Sequence, residues 1–239
     1  MKRLIKCHMD KREDLHFLTD SALLKRMAAE IPEGSILEIG PGHGELTRYL
    51  VKKGPVIAIE KSQELASQAK KAVKGAIILH GNALRMITSQ EFDILVSNLP
   101  YSLCEPLFRL LPLTSFSKGF FTIPKKFTER LHELPYSCFF SVRIVFPVPK
   151  DAFSPPPRTA SVFVSVARKP RTVMGSVLLK RTMAVKNAVR EALVQERGLT
   201  KREAREKITR LFSGKLPDKK VHDIDSKELA FLDRCLQKV

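Results

Sequence analysis

Asn98-Leu99-Pro100-Tyr101 closes the run Phe92-Asp93-Ile94-Leu95-Val96-Ser97. That run reads as a buried strand. Proline lacks an N–H and forces the residue before it into extended geometry, so the chain leaves the sheet there. Asn98 and Tyr101 then stand at the carboxyl end of a strand, where open α/β sheets place their ligands. Such a tetrad suits attack by an exocyclic base amine on an electrophile. The amine of adenine or cytosine is a weak nucleophile because its lone pair is delocalised into the ring. The Asn98 side-chain oxygen and the Leu99 carbonyl, held rigid by Pro100, can accept its hydrogens, localise the lone pair and aim it. Tyr101 offers a flat face for a base turned out of its helix. Taken alone, the same residues also describe a strand end, a proline turn and a core tyrosine.

Upstream, Ser35-Ile36-Leu37-Glu38-Ile39 reads as a short strand and Glu45 to Val51 as a helix, with Gly40-Pro41-Gly42-His43-Gly44 between them. Glycines in a strand-to-helix turn let the backbone approach a nucleotide-like ligand closely. No Gly-Lys-Ser/Thr follows, so the loop is not of the P-loop type. The next strand, Pro55 to Ile59, ends at Glu60. An acid about 20 residues beyond the glycines can accept both ribose hydroxyls of a nucleoside. Ala76 to His80 is a third strand, ending at Gly81-Asn82-Ala83-Leu84. Phe153-Ser154-Pro155-Pro156-Pro157 reads as a stiff loop able to hold Phe153 in place.

These residues need a sheet to carry them. A helix over Ala22 to Ala28, capped by Asp20 or Ser21, precedes the strands. Four strands alternating with helices predict a doubly wound parallel α/β sheet. After the tetrad the pattern gives a helix over Glu105–Leu111, a strand over Gly119–Ile123 and a basic-faced helix over Lys126–Leu134. A strand follows over Ser137–Pro147, and Ser161–Val166 closes the sheet as an edge. From Arg168 the composition changes. Residues 168–239 carry 19 Lys and Arg against 9 Asp and Glu and read as helices over Val177–Glu196, Lys201–Phe212 and Ser226–Leu236. We therefore expect a domain over 1–168 and a small basic helical domain over 169–239, with residues 1–14 as a basic arm or edge segment.

The net charge of +17 points to nucleic acid or an anionic membrane surface. The longest apolar runs fall short of a membrane span, and the N-terminus does not read as a signal peptide. Cys7, Cys104, Cys138 and Cys235 are widely spaced, as reduced thiols of a cytoplasmic protein would be. No metal is expected, since the histidines do not cluster with acids or cysteines.

Together these motifs resemble the ribosomal RNA adenine dimethyltransferase family, which includes the adenine methyltransferases of macrolide resistance. His16-Phe17-Leu18, Glu38 to Gly44, Glu60, Gly81 to Leu84, the tetrad and Phe153 to Pro157 match in order. The resemblance implies a Rossmann-like methyltransferase fold and S-adenosylmethionine as cofactor. It implies that His16 and Leu18 cover the cofactor, and that Gly40, Gly42 and Gly44 pass its amino-acid end. Glu60 would hold the ribose, Asn82 and Ala83 would face the adenine, and Asn98 would also bind the cofactor. Asn98, Leu99, Pro100, Tyr101 and Phe153 would be catalytic, with Phe153 stacking on the target base opposite Tyr101. The chain departs from the family at Leu15, where glutamine is usual, and at Asn82, where aspartate is usual. An asparagine oxygen still accepts from an adenine amine. The implied partner is ribosomal RNA or the immature small subunit, in ribosome biogenesis, with the enzyme a monomer. The implied target is adenine N6, dimethylated. Cytosine N4 presents the same amine geometry, and an idle ribosome-assembly factor on the same fold is the non-enzymatic alternative. A dinucleotide-dependent oxidoreductase would leave the tetrad and the basic tail unexplained.

Overall fold

A computed structural model describes residues 16–239; the basic arm expected over 1–14, Cys7 and Leu15 lie outside them. The chain forms two units, one of residues 16–128 with Val142–Val166, the other of Glu129–Ser141 with Ala167–Val239.

In chain order the elements are β1 (Phe17–Leu18), α1 (Ser21–Glu30), β2 (Ile36–Ile39), α2 (Thr47–Leu50), β3 (Val56–Glu60), α3 (Gln63–Ala72), β4 (Ala76–His80), α4 (Ala83–Met86), β5 (Ile94–Asn98), α5 (Tyr101–Leu110), β6 (Lys118–Pro124), α6 (Lys125–Leu131), β7 (Phe140–Val148), β8 (Phe153–Ser154) and β9 (Ser161–Arg168). One sheet has the order β4-β3-β2-β5-β6-β9-β7, and β1 pairs with β8 in a separate two-stranded ribbon. From β4 through β6 the neighbours are parallel. The chain winds outward from β2 through β3 to β4, then returns to β5 on the other side of β2. That reversal opens the crevice in which α/β sheets hold ligands.

Asp20, rather than Ser21, caps α1; its side chain accepts from the N–H groups of Ala22 and Leu23 at 2.9 and 3.0 Å. The helix expected from Glu105 begins instead at Tyr101, directly after Pro100, and tolerates Pro106 inside it. Tyr101 thus occupies the first helical turn. Ser161–Val166 is not the sheet's edge. The strand β9 lies between β6 and β7, and β7 is outermost. The reason is patterning: β9 is buried almost throughout, whereas β7 alternates and exposes Arg143 and Ile144.

The second unit continues as α7 (Val173–Leu179), α8 (Val185–Arg197), α9 (Lys201–Phe212) and α10 (Ser226–Leu236). The single helix expected over Val177–Glu196 is thus two helices. Its break follows from competition for backbone groups, because the N–H of Val185 donates to Lys219, that of Val221 to Met183 and that of His222 to Arg181. Thr200 with Glu203 and Asp225 with Glu228 form capping boxes that start α9 and α10. The apolar stripe Val185, Ala188, Val189, Ala192 and Leu193 is fully buried among Ala204, Ile208, Phe212 and Leu232. Cys138 and Cys235 are free thiols. Burial pushes Cys138 up to about 12, which keeps it protonated and unreactive.

Leu193→Ala should cost about 2–5 kcal/mol, the range for truncating a fully buried leucine. Chemical denaturation measures this, and a loss under about 1 kcal/mol would show that the helical core is loosely packed.

Candidate active site

A cavity of about 670 Å³ opens at the carboxyl ends of the parallel strands. It is bordered by His16, Leu18, Gly40, Gly42, Glu60, Asn82, Ala83, Asn98, Leu99, Pro100, Tyr101 and Phe153. Of the residues singled out from the sequence, Gly44 stands off the cavity. A Cβ there would meet Val73 Cγ2 at 2.5 Å, and its φ of +89° is a left-handed conformation that favours glycine. Gly44 therefore serves the packing of the turn.

Gly42 does border the cavity, at φ +60°, where a Cβ would crowd the Phe17 ring at 3.2 Å. Its N–H donates to Glu60 Oε2 at 3.3 Å, and Glu60 Oε1 accepts from the Ser62 N–H at 2.9 Å. The Glu60 carboxylate, 7 % exposed, thus braces the glycine loop from the end of β3. A carboxylate has about four acceptor sites, so these two bonds leave it able to accept hydroxyls as well. Asn82 caps α4 through Oδ1, which accepts from the Leu84 N–H at 3.0 Å. That oxygen's second lone pair remains for a ligand.

Asn98 ends β5, and its Nδ2 donates to the His16 carbonyl at 3.0 Å. A carbonyl only accepts, so this bond fixes which way the amide faces and leaves Oδ1 as the acceptor on the other branch. His16 in turn bonds the Pro155 carbonyl through Nδ1 at 2.9 Å. Its ring centroid lies 5.8 Å from that of Tyr101 and 6.5 Å from that of Phe153. Phe153 is 4 % exposed, packed in the core below the cavity it borders, and pairs with Leu18 across the β1–β8 ribbon.

Glu38, the first residue of the glycine motif, received no role from the sequence. It also borders the cavity, and it is 3 % exposed. Its Oε2 has no hydrogen-bond partner among the described residues, and neither has the neighbouring Thr47 hydroxyl. Burial pushes the Glu38 carboxyl up to about 7; the nearby Thr47 hydroxyl pulls it down without a well-formed bond, and Glu45 and Glu60 add to the rise. An orphaned buried carboxyl beside apolar walls is suited to a cationic ligand group. The glycine turn, the Glu60 acceptors and this carboxyl fit a sulfonium amino-acid nucleoside. The acidic start of the glycine motif was the available signal for Glu38. Burial, which decides its protonation, has no local signature.

The sequence model of the ribosomal RNA adenine dimethylase family matches residues 8–230. The chain belongs to this family. It is 30 % identical over 183 residues to the ribosomal RNA small subunit methyltransferase A of Gloeobacter violaceus, covering 67 % of each chain. It is also 30 % identical over 152 residues to an rRNA adenine N-6-methyltransferase of Bacillus licheniformis, covering 57 % of this chain and 53 % of that one. The crystal structure of a dimethyladenosine transferase from Plasmodium falciparum superposes with a TM-score of 0.61 at 20 % identity, over 93 % of this chain and 98 % of that one, which supports the fold. The ribosomal RNA adenine dimethylase family comprises S-adenosylmethionine-dependent methyltransferases of ribosomal RNA, and that is the enzyme class of this chain.

Folded, Glu38 keeps its proton to about pH 7, whereas its ordinary value is 4.5. Between those values the folded state holds the extra proton, so Glu38 lowers stability progressively as pH rises, by on the order of 3 kcal/mol in full. Glu38→Gln should therefore melt higher than wild type at pH 8 and close to it at pH 4.5. Melting curves at both pH values decide it, since an offset independent of pH would mean that Glu38 does not titrate in this window.

Proposed function

We propose that the chain binds S-adenosylmethionine in the 670 Å³ cavity and transfers methyl groups to N6 of an adenine in small-subunit ribosomal RNA, dimethylating it. The observation that carries this reading is the oriented Asn98 amide, whose Nδ2 is committed to the His16 carbonyl. Its Oδ1 accepts one hydrogen of the target amine and the Leu99 carbonyl accepts the other, which localises the nitrogen lone pair. Tyr101 carries the base on its ring face, and Phe153 is the second aromatic wall. No strong general base is needed, because the amine becomes acidic as it acquires the methyl.

S-adenosylmethionine supplies, when bound, a methyl group made electrophilic by the sulfonium. The chain's part is to place it. Glu60 accepts the ribose hydroxyls, Asn82 and Ala83 face the adenine, and the Gly40–Gly42 turn passes the amino-acid end. Glu38 gives that cationic end a carboxylate, and His16 with Leu18 closes the cavity. Residues 169–239 supply cationic contacts to RNA phosphates, in keeping with the 19 basic residues against 9 acidic from position 168 onward. The family name and the relatives' names favour adenine over cytosine as the base. The substrate we assign is ribosomal RNA or the immature small subunit, and the acting form a monomer.

Asn98→Ala should lower methyl transfer to ribosomal RNA by about a hundredfold to a thousandfold, the loss typical of one preorganised hydrogen-bonding group. Its affinity for S-adenosylmethionine should change far less, as read by calorimetric titration. Wild-type turnover in a folded Asn98→Ala protein would remove this mechanism. Glu60→Ala should show the opposite pattern, losing about 1.5–3 kcal/mol of cofactor binding, as for hydrogen bonds to an ionised group.

RNA affinity should fall linearly on logarithmic axes as salt rises, by roughly 0.7–0.9 per phosphate contacted. Replacing the exposed Lys201, Arg202 and Arg205 with glutamine should flatten that slope in filter-binding measurements. An unchanged slope would take α9 out of the RNA interface.

A further inference from the structure

We propose that Ser161 is a positioning residue for methyl transfer, holding the phenolic hydroxyl of Tyr101 and so fixing the direction in which the ring that carries the target base points. This role presupposes that Asn98-Leu99-Pro100-Tyr101 binds the amine. It concerns a residue outside all the motifs that carry the family resemblance.

The two hydroxyls lie 2.6 Å apart across 60 residues of chain. Ser161 is 2 % exposed and is followed by Val162, Phe163 and Val164, all in the core. A hydroxyl buried in such a run is unfavourable unless something bonds it, and Tyr101 does. The strand β9 that carries Ser161 lies inside the sheet between β6 and β7, so the anchor is paired on both sides. Tyr101 is half-buried at the very start of α5. Its backbone is set by the helix, but the side-chain torsions would leave the ring free to tilt. A bond at the para-hydroxyl, the end of the ring farthest from the backbone, stops the ring from swinging about the Cα–Cβ bond.

Two features of the site then share one logic. The Asn98 amide takes its direction from the His16 carbonyl, and the axis of the Tyr101 ring takes its direction from Ser161. Both partners lie outside the tetrad, and together they set the amine acceptor and the stacking face relative to each other. A base resting on a tilting ring would present its amine to Asn98 in the productive geometry for only part of the time, which lowers the rate of transfer.

The test uses full-length wild type, Ser161→Ala, Tyr101→Phe, the double variant and Asn98→Ala. Labelled S-adenosylmethionine is the methyl donor, and the acceptor is small-subunit ribosomal RNA from cells lacking the gene. Ser161→Ala and Tyr101→Phe should each lower kcat about three- to tenfold, the size expected for one hydrogen bond between neutral groups. The KM for RNA and the dissociation constant for S-adenosylmethionine should stay at wild-type values. The double variant should be no slower than either single one, because both remove the same bond. Wild-type kcat in Ser161→Ala, or losses that multiply in the double variant, would overturn the role. Should Ser161→Ala lose thermal stability, Tyr101→Phe leaves the buried strand untouched, and wild-type kcat in that variant overturns the role equally. A wild type that transfers no methyl, or a fully active Asn98→Ala, removes the tetrad's function and the role of Ser161 with it. An active wild type, an inactive Asn98→Ala and an unaffected Ser161→Ala remove the role of Ser161 alone.

Discussion

Strands β2 and β5 lie side by side in parallel, with Glu38 across from Val96 and Leu37 across from Leu95. At the end of that pairing the Ser97 hydroxyl donates to the Ile39 carbonyl at 2.6 Å, buried, at the point where the winding of the sheet reverses. One strand then releases the glycine turn and the other releases Asn98. A slip of one residue would turn every side chain of β5 to the other face. Asn98 would leave the cavity and Ser97 would enter it. The cavity exists as a site only because this register is held. Ser97, the polar residue within the apolar run of β5, marks that register through its bond to Ile39.

The parallel strands can be read from the sequence because each is a short, uninterrupted apolar run ended by glycine, asparagine or an acid. Short-range chemistry at helix starts is equally readable, as at Asp20 before α1 and Thr200 before α9. Features that depend on partners distant in the chain cannot be read this way. The β1–β8 ribbon joins Leu18 to Phe153 with only two residues a side, too few for any pattern. The interior place of β9 depends on β7 taking the edge, and the break between α7 and α8 depends on backbone bonds to residues 219–222. Within the site, residue types gave the glycine turn, Glu60 and the tetrad as a set, and the fold places them on one cavity with the exception of Gly44. The protonation of Glu38 and the service of Ser161 are products of burial, which only the assembled sheet creates.

Several polar groups of the site are employed twice. Glu60 braces the glycine turn through Gly42 while facing the cavity, and Asn82 starts α4 while bordering the same space. Asn98 ties down the His16 carbonyl with one branch of its amide and keeps the other for the site. In each case the group is held by a backbone partner before any ligand arrives, so little ordering remains to be done on binding. Glu38 is the exception, since its Oε2 has no such partner among the described residues and its burial in charged form is unfavourable.

The two-residue ribbon of β1 and β8 has a consequence for traffic. His16, Phe17 and Leu18 form part of the cavity wall, yet the sheet that secures them consists of two register pairs, supplemented by the Thr19 N–H donating to the Ala152 carbonyl at 2.9 Å. Regions held by few backbone bonds open at a small fraction of the free energy needed to unfold the whole. The wall on this side can therefore fray and re-form while the seven-stranded sheet stays intact. A molecule enclosed in the cavity can be exchanged for a fresh one while the strand that carries Asn98 stays in place, and the Asn98 amide regains its direction when the His16 carbonyl returns.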